Sequence, residues 1–140
     1  MQTLEVVGMS TKTILLIDNE LYVREIVELC LTDLAGWNVV VADSLLEGIQ
    51  KAKIEHPDAI VMDLSMHCMN CFQCINEFRD KPENQKIPIV LMSAAVRWLE
   101  PEFLRQHKIA GVIFKPFNPL QIPVQLAKIL GWDYVPSCYL

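Results

Sequence analysis

The chain predicts a doubly wound α/β domain, with five parallel strands sandwiched between helices. Three observations carry that prediction. Short apolar runs alternate with helical segments five times along 140 residues, and such alternation builds a parallel sheet joined by crossover helices. The runs do not alternate apolar with polar residues; Ile60-Val61-Met62 is an example. Continuous apolar runs are expected of strands covered on both faces. Four of the runs end at polar residues, Asp18, Asp63, Ser93 and Lys115. In this class, ligands bind beyond the carboxyl ends of the strands, and right-handed crossovers bring those ends to one edge.

The elements follow in order. Residues 13–17 form the first strand, ending at Asp18. Residues 21–35 carry Val23, Ile26, Val27, Cys30 and Leu34 at helical spacing, and Gly36 terminates that helix. Residues 37–42 are rich in valine and read as the second strand. Ser44 and Glu47 have the capping-box spacing and open a helix to about residue 55, before Pro57. The third strand is 59–62 and the third helix 71–80, with Cys71, Cys74, Ile75 and Phe78 on its inner face. The fourth strand is 87–92, with Pro88 near its start. Pro101 suits a first helical turn, giving a short helix over 101–107. The fifth strand is 111–114. Asn118 and Pro119 resemble an N-cap and first position, whereas Pro123 suggests a later start; the helix ends near Leu130, with Gly131 as its cap. One domain over 13–131 is expected, with an extension at 1–12 and a tail at 132–140. His56 and His107 are expected to be solvated helix-end residues.

Composition narrows the function classes. Hydrophobic residues make up 52%, which argues against disorder. A formal charge of -5 and a pI of about 5.1 disfavour direct nucleic-acid binding. No apolar run reaches membrane-spanning length, and no signal peptide is evident. Five cysteines, mostly in apolar segments, fit a reducing cytoplasm.

The residues on the shared edge form a reaction kit. Phosphoryl transfer needs a nucleophile, positioning and neutralised charge. Asp63 supplies the nucleophile. Mg²⁺, a hard cation, takes oxygens from Asp18, Asp63 and the Asn19 amide. Ser93 offers a hydroxyl to a phosphoryl oxygen, and Lys115 offers a fixed positive charge. The bland alternatives are that both aspartates cap helices, that Ser93 is a turn residue and that Lys115 is a solvated lysine.

With the motifs ILLIDNE, IVMDLSMHCMN, IVLMSA and FKPF in this order, the chain resembles the receiver domain of two-component response regulators, the CheY-like family. The resemblance spans about residues 13–130. It implies a flavodoxin-like fold with strand order 2-1-3-4-5 and five helices. It also implies phosphorylation of Asp63 by a histidine kinase or histidine phosphotransfer protein. Mg²⁺ would be held by Asp18, Asn19, Asp63 and the Ser65 carbonyl, and the phosphoryl group sensed by Ser93 and Lys115. The implied protein is a bacterial cytoplasmic phosphoacceptor rather than an enzyme, capable of Mg-dependent self-phosphorylation and autodephosphorylation. It would be a single-domain regulator that switches binding of a downstream protein.

Several positions depart from the family pattern. Asn19 stands where a second acid is usual, so weaker Mg²⁺ binding is expected. Val112 stands where an aromatic switch residue is common, with Trp98 as a substitute output residue. Ala95 cannot orient an attacking water. These departures motivate a second hypothesis, a pseudo-receiver that binds partners without phosphorylation. A third is a thiol or metal sensor built on Cys68, Cys71 and Cys74, with His67 nearby. Against it, Cys71 and Cys74 fall on an apolar helix stripe, where cysteine commonly acts as a small hydrophobe.

Overall fold

A computed structural model describes residues 11–64, 71–93 and 101–134, without the side chains of Leu64, Cys71, Cys74 and Phe103. The elements are β1 (Thr13–Ile17), α1 (Leu21–Leu29), β2 (Asn38–Ala42), α2 (Leu45–Glu55), β3 (Ala59–Leu64), α3 (Cys71–Arg79), β4 (Ile89–Ser93), α4 (Pro101–Gln106), β5 (Ile109–Phe114) and α5 (Ile122–Leu130). All strand pairs are parallel, in the order β2-β1-β3-β4-β5. Among the described residues, no helix is long and apolar enough to cross a membrane.

Successive strand side chains point to opposite faces, and both faces are buried. Ile14 and Leu16 of β1 join Val61, Val90, Met92 and Ile113 beneath α1 and α5. Leu15 and Ile17 join Ile60, Met62 and Leu91 beneath α2 and α3. This two-sided burial is why the strands lack polar alternation. Gly48 lets α2 approach β1 closely, because a Cβ there would lie 2.3 Å from the Ile17 side chain.

The element ends differ from expectation in instructive ways. The α1 segment continues to Leu34 through one wider π turn, Cys30–Leu34, and Gly36 ends it in the left-handed region at φ 71. Trp37 is not in β2; it is buried and packs edge-on against Trp132 at 5.2 Å. Ser44 accepts from the Glu47 N–H as a cap should, but Glu47 reaches back to the Asp43 N–H, one residue earlier than the expected box. Strand β3 runs two residues further, so Asp63 is still paired, opposite Met92. Asn118 caps a short 3₁₀ turn, Pro119–Gln121, and α5 follows with Pro123 in its first turn. The two proline signals therefore mark two consecutive helical pieces.

His107 corrects the solvated expectation. It is buried, its Nδ1 lies 2.9 Å from the Asn76 side-chain oxygen, and its ring packs on Phe72. Burial holds its pKa below the usual histidine value. Strand β5 begins at Ile109 rather than Gly111. Its register against β4 shifts between Ile89 and Val90, which skips Ala110, and Gly111 pairs with Val90 inside the strand, so it is not a boundary.

Arg79 fastens the amino-terminal end of the sheet. Its guanidinium donates to the carbonyls of Asn84, Ile87 and Lys108 at 2.7, 2.6 and 3.0 Å. These contacts tie the end of α3 to the entrances of β4 and β5. Replacing Arg79 with Met leaves those carbonyls without their donor, so the variant should lose about 1–3 kcal/mol of stability, measured by urea unfolding. An unchanged midpoint would contradict this clasp.

Candidate functional site

Backbone pairing continues just past the strand ends and sets the site. The Asp18 N–H donates to the Ala42 carbonyl at 3.1 Å, holding Asp18 at the rim of β1. Asp63 and Leu64 pair with Met92 and Ser93, which brings Asp63 beside β4. The Lys115 N–H donates to the Ser93 carbonyl at 2.9 Å, placing Lys115 one step beyond β5. The Lys115–Pro116 peptide is cis.

The side chains converge. The Lys115 ammonium lies 2.6 Å from Asp63 Oδ1 and donates to Oδ2 at 2.8 Å. The Asp63 side chain is 1% exposed and that of Lys115 21%. Asp18 is 1% exposed and Ser93 is equally buried. Carboxylate oxygens of Asp18, Glu20 and Asp63 lie within 4.8 Å of one another. Glu20 also sits 3.7 Å from the Lys115 ammonium. Arg24, on the rim, pairs with Asp43 and reaches the Asp18 carbonyl.

Two buried carboxylates side by side cannot both carry charge cheaply. Burial pushes Asp18 up to about 7, and the neighbouring Asp63 charge acts in the same direction. The Glu20 N–H and the Lys115 charge pull the other way. Asp18 Oδ1 accepts from that Glu20 N–H at 2.8 Å, whereas buried Oδ2 meets no protein donor. Oδ2 is thus satisfied by a proton shared with Asp63 or by a cation. Oxygen-only donors, anionic and clustered, suit a hard divalent ion, so the residues present fit Mg²⁺.

The remaining predicted residues divide. Asn19 is exposed beside Asp18. Val112 is half-buried against the Leu15, Ile60 and Leu91 cluster. Ser65, Trp98 and Cys68 lie outside the described residues, and so do the thiols of Cys71 and Cys74, although α3 begins at Cys71. The residue on this edge to which sequence reasoning gave no role is Glu20. It follows Asp18 by two, but nothing in the sequence shows that the turn after β1 aims it back at the pocket.

The sequence profile of the response regulator receiver domain matches residues 14–127. The chain belongs to this family. Receiver domains act in two-component signalling and bind Mg²⁺ at an acidic site. Polar-differentiation response regulator DivK of Brucella ovis is 27% identical over 122 residues, covering 86% of this chain and 98% of its own length. The probable transcriptional regulator ycf27 of Cyanophora paradoxa is 26% identical over 119 residues. The chain spans about half the length of ycf27, 48%, with 85% of this chain covered. Among solved structures, chemotaxis protein CheY4 of Vibrio cholerae superposes with a TM-score of 0.74 at 25% identity, covering 86% of this chain and 99% of that one. The receiver domain of sensor histidine kinase PA1611 from Pseudomonas aeruginosa, solved with a magnesium ion in its active-site cleft, gives 0.73 at 21%, covering 87% and 99%.

The elevated Asp18 pKa fixes a sign for stability. The folded value of about 7 lies above the ordinary 3.8, so the fold holds a proton that the unfolded chain has released. The contribution is full below the ordinary value and is lost as pH rises through about 7. In chelator, wild type should lose stability from pH 5 to 8 relative to Asp18→Asn, measured as the difference in urea midpoints. Equal pH dependence in the two proteins would refute the shared-proton pocket.

Proposed function

We propose that this receiver domain accepts a phosphoryl group on Asp63 from a phosphohistidine of a histidine kinase or phosphotransfer protein. The observation that carries this is the buried Asp63 carboxylate held by Lys115 at 2.6 and 2.8 Å next to the Asp18 and Glu20 carboxylates. In the transfer, an Asp63 oxygen attacks phosphorus. The phosphorus–nitrogen bond breaks, an acyl phosphate forms, and the leaving imidazole takes up a proton.

Lys115 plays two parts in this scheme. Before transfer its ammonium orients the nucleophile. Afterwards it follows the charge onto a phosphoryl oxygen, where the phosphate adds roughly -1.5 to -2 charges. The Ser93 hydroxyl, buried at the end of β4, binds a second phosphoryl oxygen. Asp18, Asp63 and a further oxygen from the turn after β1 would hold Mg²⁺, together with the Ser65 carbonyl, which lies outside the described residues. Bound there, the ion would neutralise charge between the attacking carboxylate and the incoming phosphate. The magnesium ion in the cleft of the Pseudomonas aeruginosa receiver domain is in keeping with this arrangement.

The output is a change in binding of a downstream protein, driven by movement of Ser93 and Lys115. In this reading the domain is a phosphoacceptor of the bacterial cytoplasm and not an enzyme with a separate substrate. The pseudo-receiver reading is weaker, because the Asp63 carboxylate is buried, is held by Lys115 and lies next to Asp18.

With a small-molecule phosphodonor and Mg²⁺, intact-mass spectrometry should show one added phosphoryl group on wild type and none on Asp63→Asn. Label persisting on Asp63→Asn would reject Asp63 as the acceptor. A wild type that takes no label from either a small donor or phosphohistidine would favour the pseudo-receiver.

A further inference from the structure

We infer that Glu20 supplies the third anionic ligand of the cation pocket in place of Asn19, and that it does so by exchanging Lys115 for the cation. This rests on the pocket being the receiver domain's cation site.

Position 19 brings a neutral amide on an exposed residue. Position 20 brings a carboxylate, and the backbone directs it inward. The Glu20 N–H donates to Asp18 Oδ1 at 2.8 Å, which folds the chain back over the end of β1. Its carboxylate then lies within 4.8 Å of those of both buried aspartates. An independent feature points to a ligand: Asp18, 1% exposed, presents a buried Oδ2 that no protein group hydrogen-bonds.

The distances suit a small ion. Mg²⁺ binds oxygens at about 2.0–2.1 Å, so opposite ligand oxygens sit roughly 4 Å apart. At most one pair among three octahedral ligands is opposite, and adjacent oxygens sit roughly 3 Å apart, so a pair at the 4.8 Å limit must close by about 2 Å. Glu20, whose side chain is 55% exposed, has the freedom to move. Its contact with Lys115 is long, at 3.7 Å, and partly solvated, so it is weak. The Asp63 contacts with the same ammonium are much shorter. Cation entry therefore draws Glu20 away, and Lys115 remains with Asp63 alone. The charge missing at position 19 is restored one residue later, in a form that also frees Lys115 from a competing carboxylate.

The test is calorimetric titration of MgCl₂ into the full chain, with cation-free urea unfolding to establish folding. Glu20→Gln should weaken binding about tenfold, as expected when a site loses one charged ligand. The double variant Asn19→Asp with Glu20→Gln should recover affinity to within about threefold, because it moves the charge and does not merely repair a turn. Lys115→Met should tighten binding more when residue 20 is Glu than when it is Gln, since only the glutamate is released. If Glu20→Gln binds as wild type does, or the double variant stays as weak as Glu20→Gln, the ligand role is overturned while the cation site stands. Equal gains from Lys115→Met in both backgrounds overturn the exchange. A folded wild type that binds no Mg²⁺ overturns the cation site itself.

Discussion

Two carboxylates buried side by side against one ammonium are the constraint on which this fold turns. Asp18 and Asp63 stand at the ends of neighbouring strands, each almost inaccessible to water. Left as anions they repel in a medium that screens them poorly. Lys115 answers part of that repulsion, and a proton or cation must answer the rest. A group of this kind persists only where the surrounding structure holds it in place. The two apolar layers do so, fixing β1, β3 and β5 so firmly that the charged residues have no room to separate.

The two ends of the sheet divide the work. At the carboxyl edge the backbone ladder is extended by single bonds, from Asp18 to Ala42 and from Lys115 to Ser93. Each bond fixes a reactive side chain without giving it a rigid neighbour on the solvent side. At the amino edge a cation, Arg79, turns both terminal guanidinium nitrogens to three carbonyls. Fork-shaped and permanently charged, arginine suits that static role, whereas the single flexible ammonium of lysine suits a partner that changes during a reaction. One edge is closed by hydrogen bonds, and the other keeps oxygens in want of a ligand.

Much of this was legible in the sequence because it depends on long-wavelength patterns. Unbroken apolar runs announced strands buried on both sides, and the ordered acidic, hydroxyl and lysine termini announced a shared edge. What escaped depends on local geometry. Gly111 looked like a strand boundary, yet it sits inside β5 where the register shifts. His107 looked like a solvated helix end, yet Phe72 and Asn76 enclose it. Glu20 carried no periodicity at all. Its place in the pocket follows from a turn closed by its own N–H on Asp18, a contact that residue types alone do not specify.

Val112 bears on how a change at the pocket travels outward. It lies three residues before Lys115 on β5, opposite Leu91, half-buried against the same apolar cluster that Leu104 of α4 packs on. A β-branched side chain on a strand has a restricted χ1, and valine has no ring that swings between an inner and an outer position. A signal leaving Lys115 on this face must then pass through the backbone. The route is short, because the Lys115 N–H is bonded to the Ser93 carbonyl, and Ser93 and Lys115 are the two residues proposed to grip the phosphoryl group. Drawing both inward would shift the carboxyl ends of β4 and β5 together, moving the strand ends that lead toward α4 and α5 without any single side chain acting as the lever.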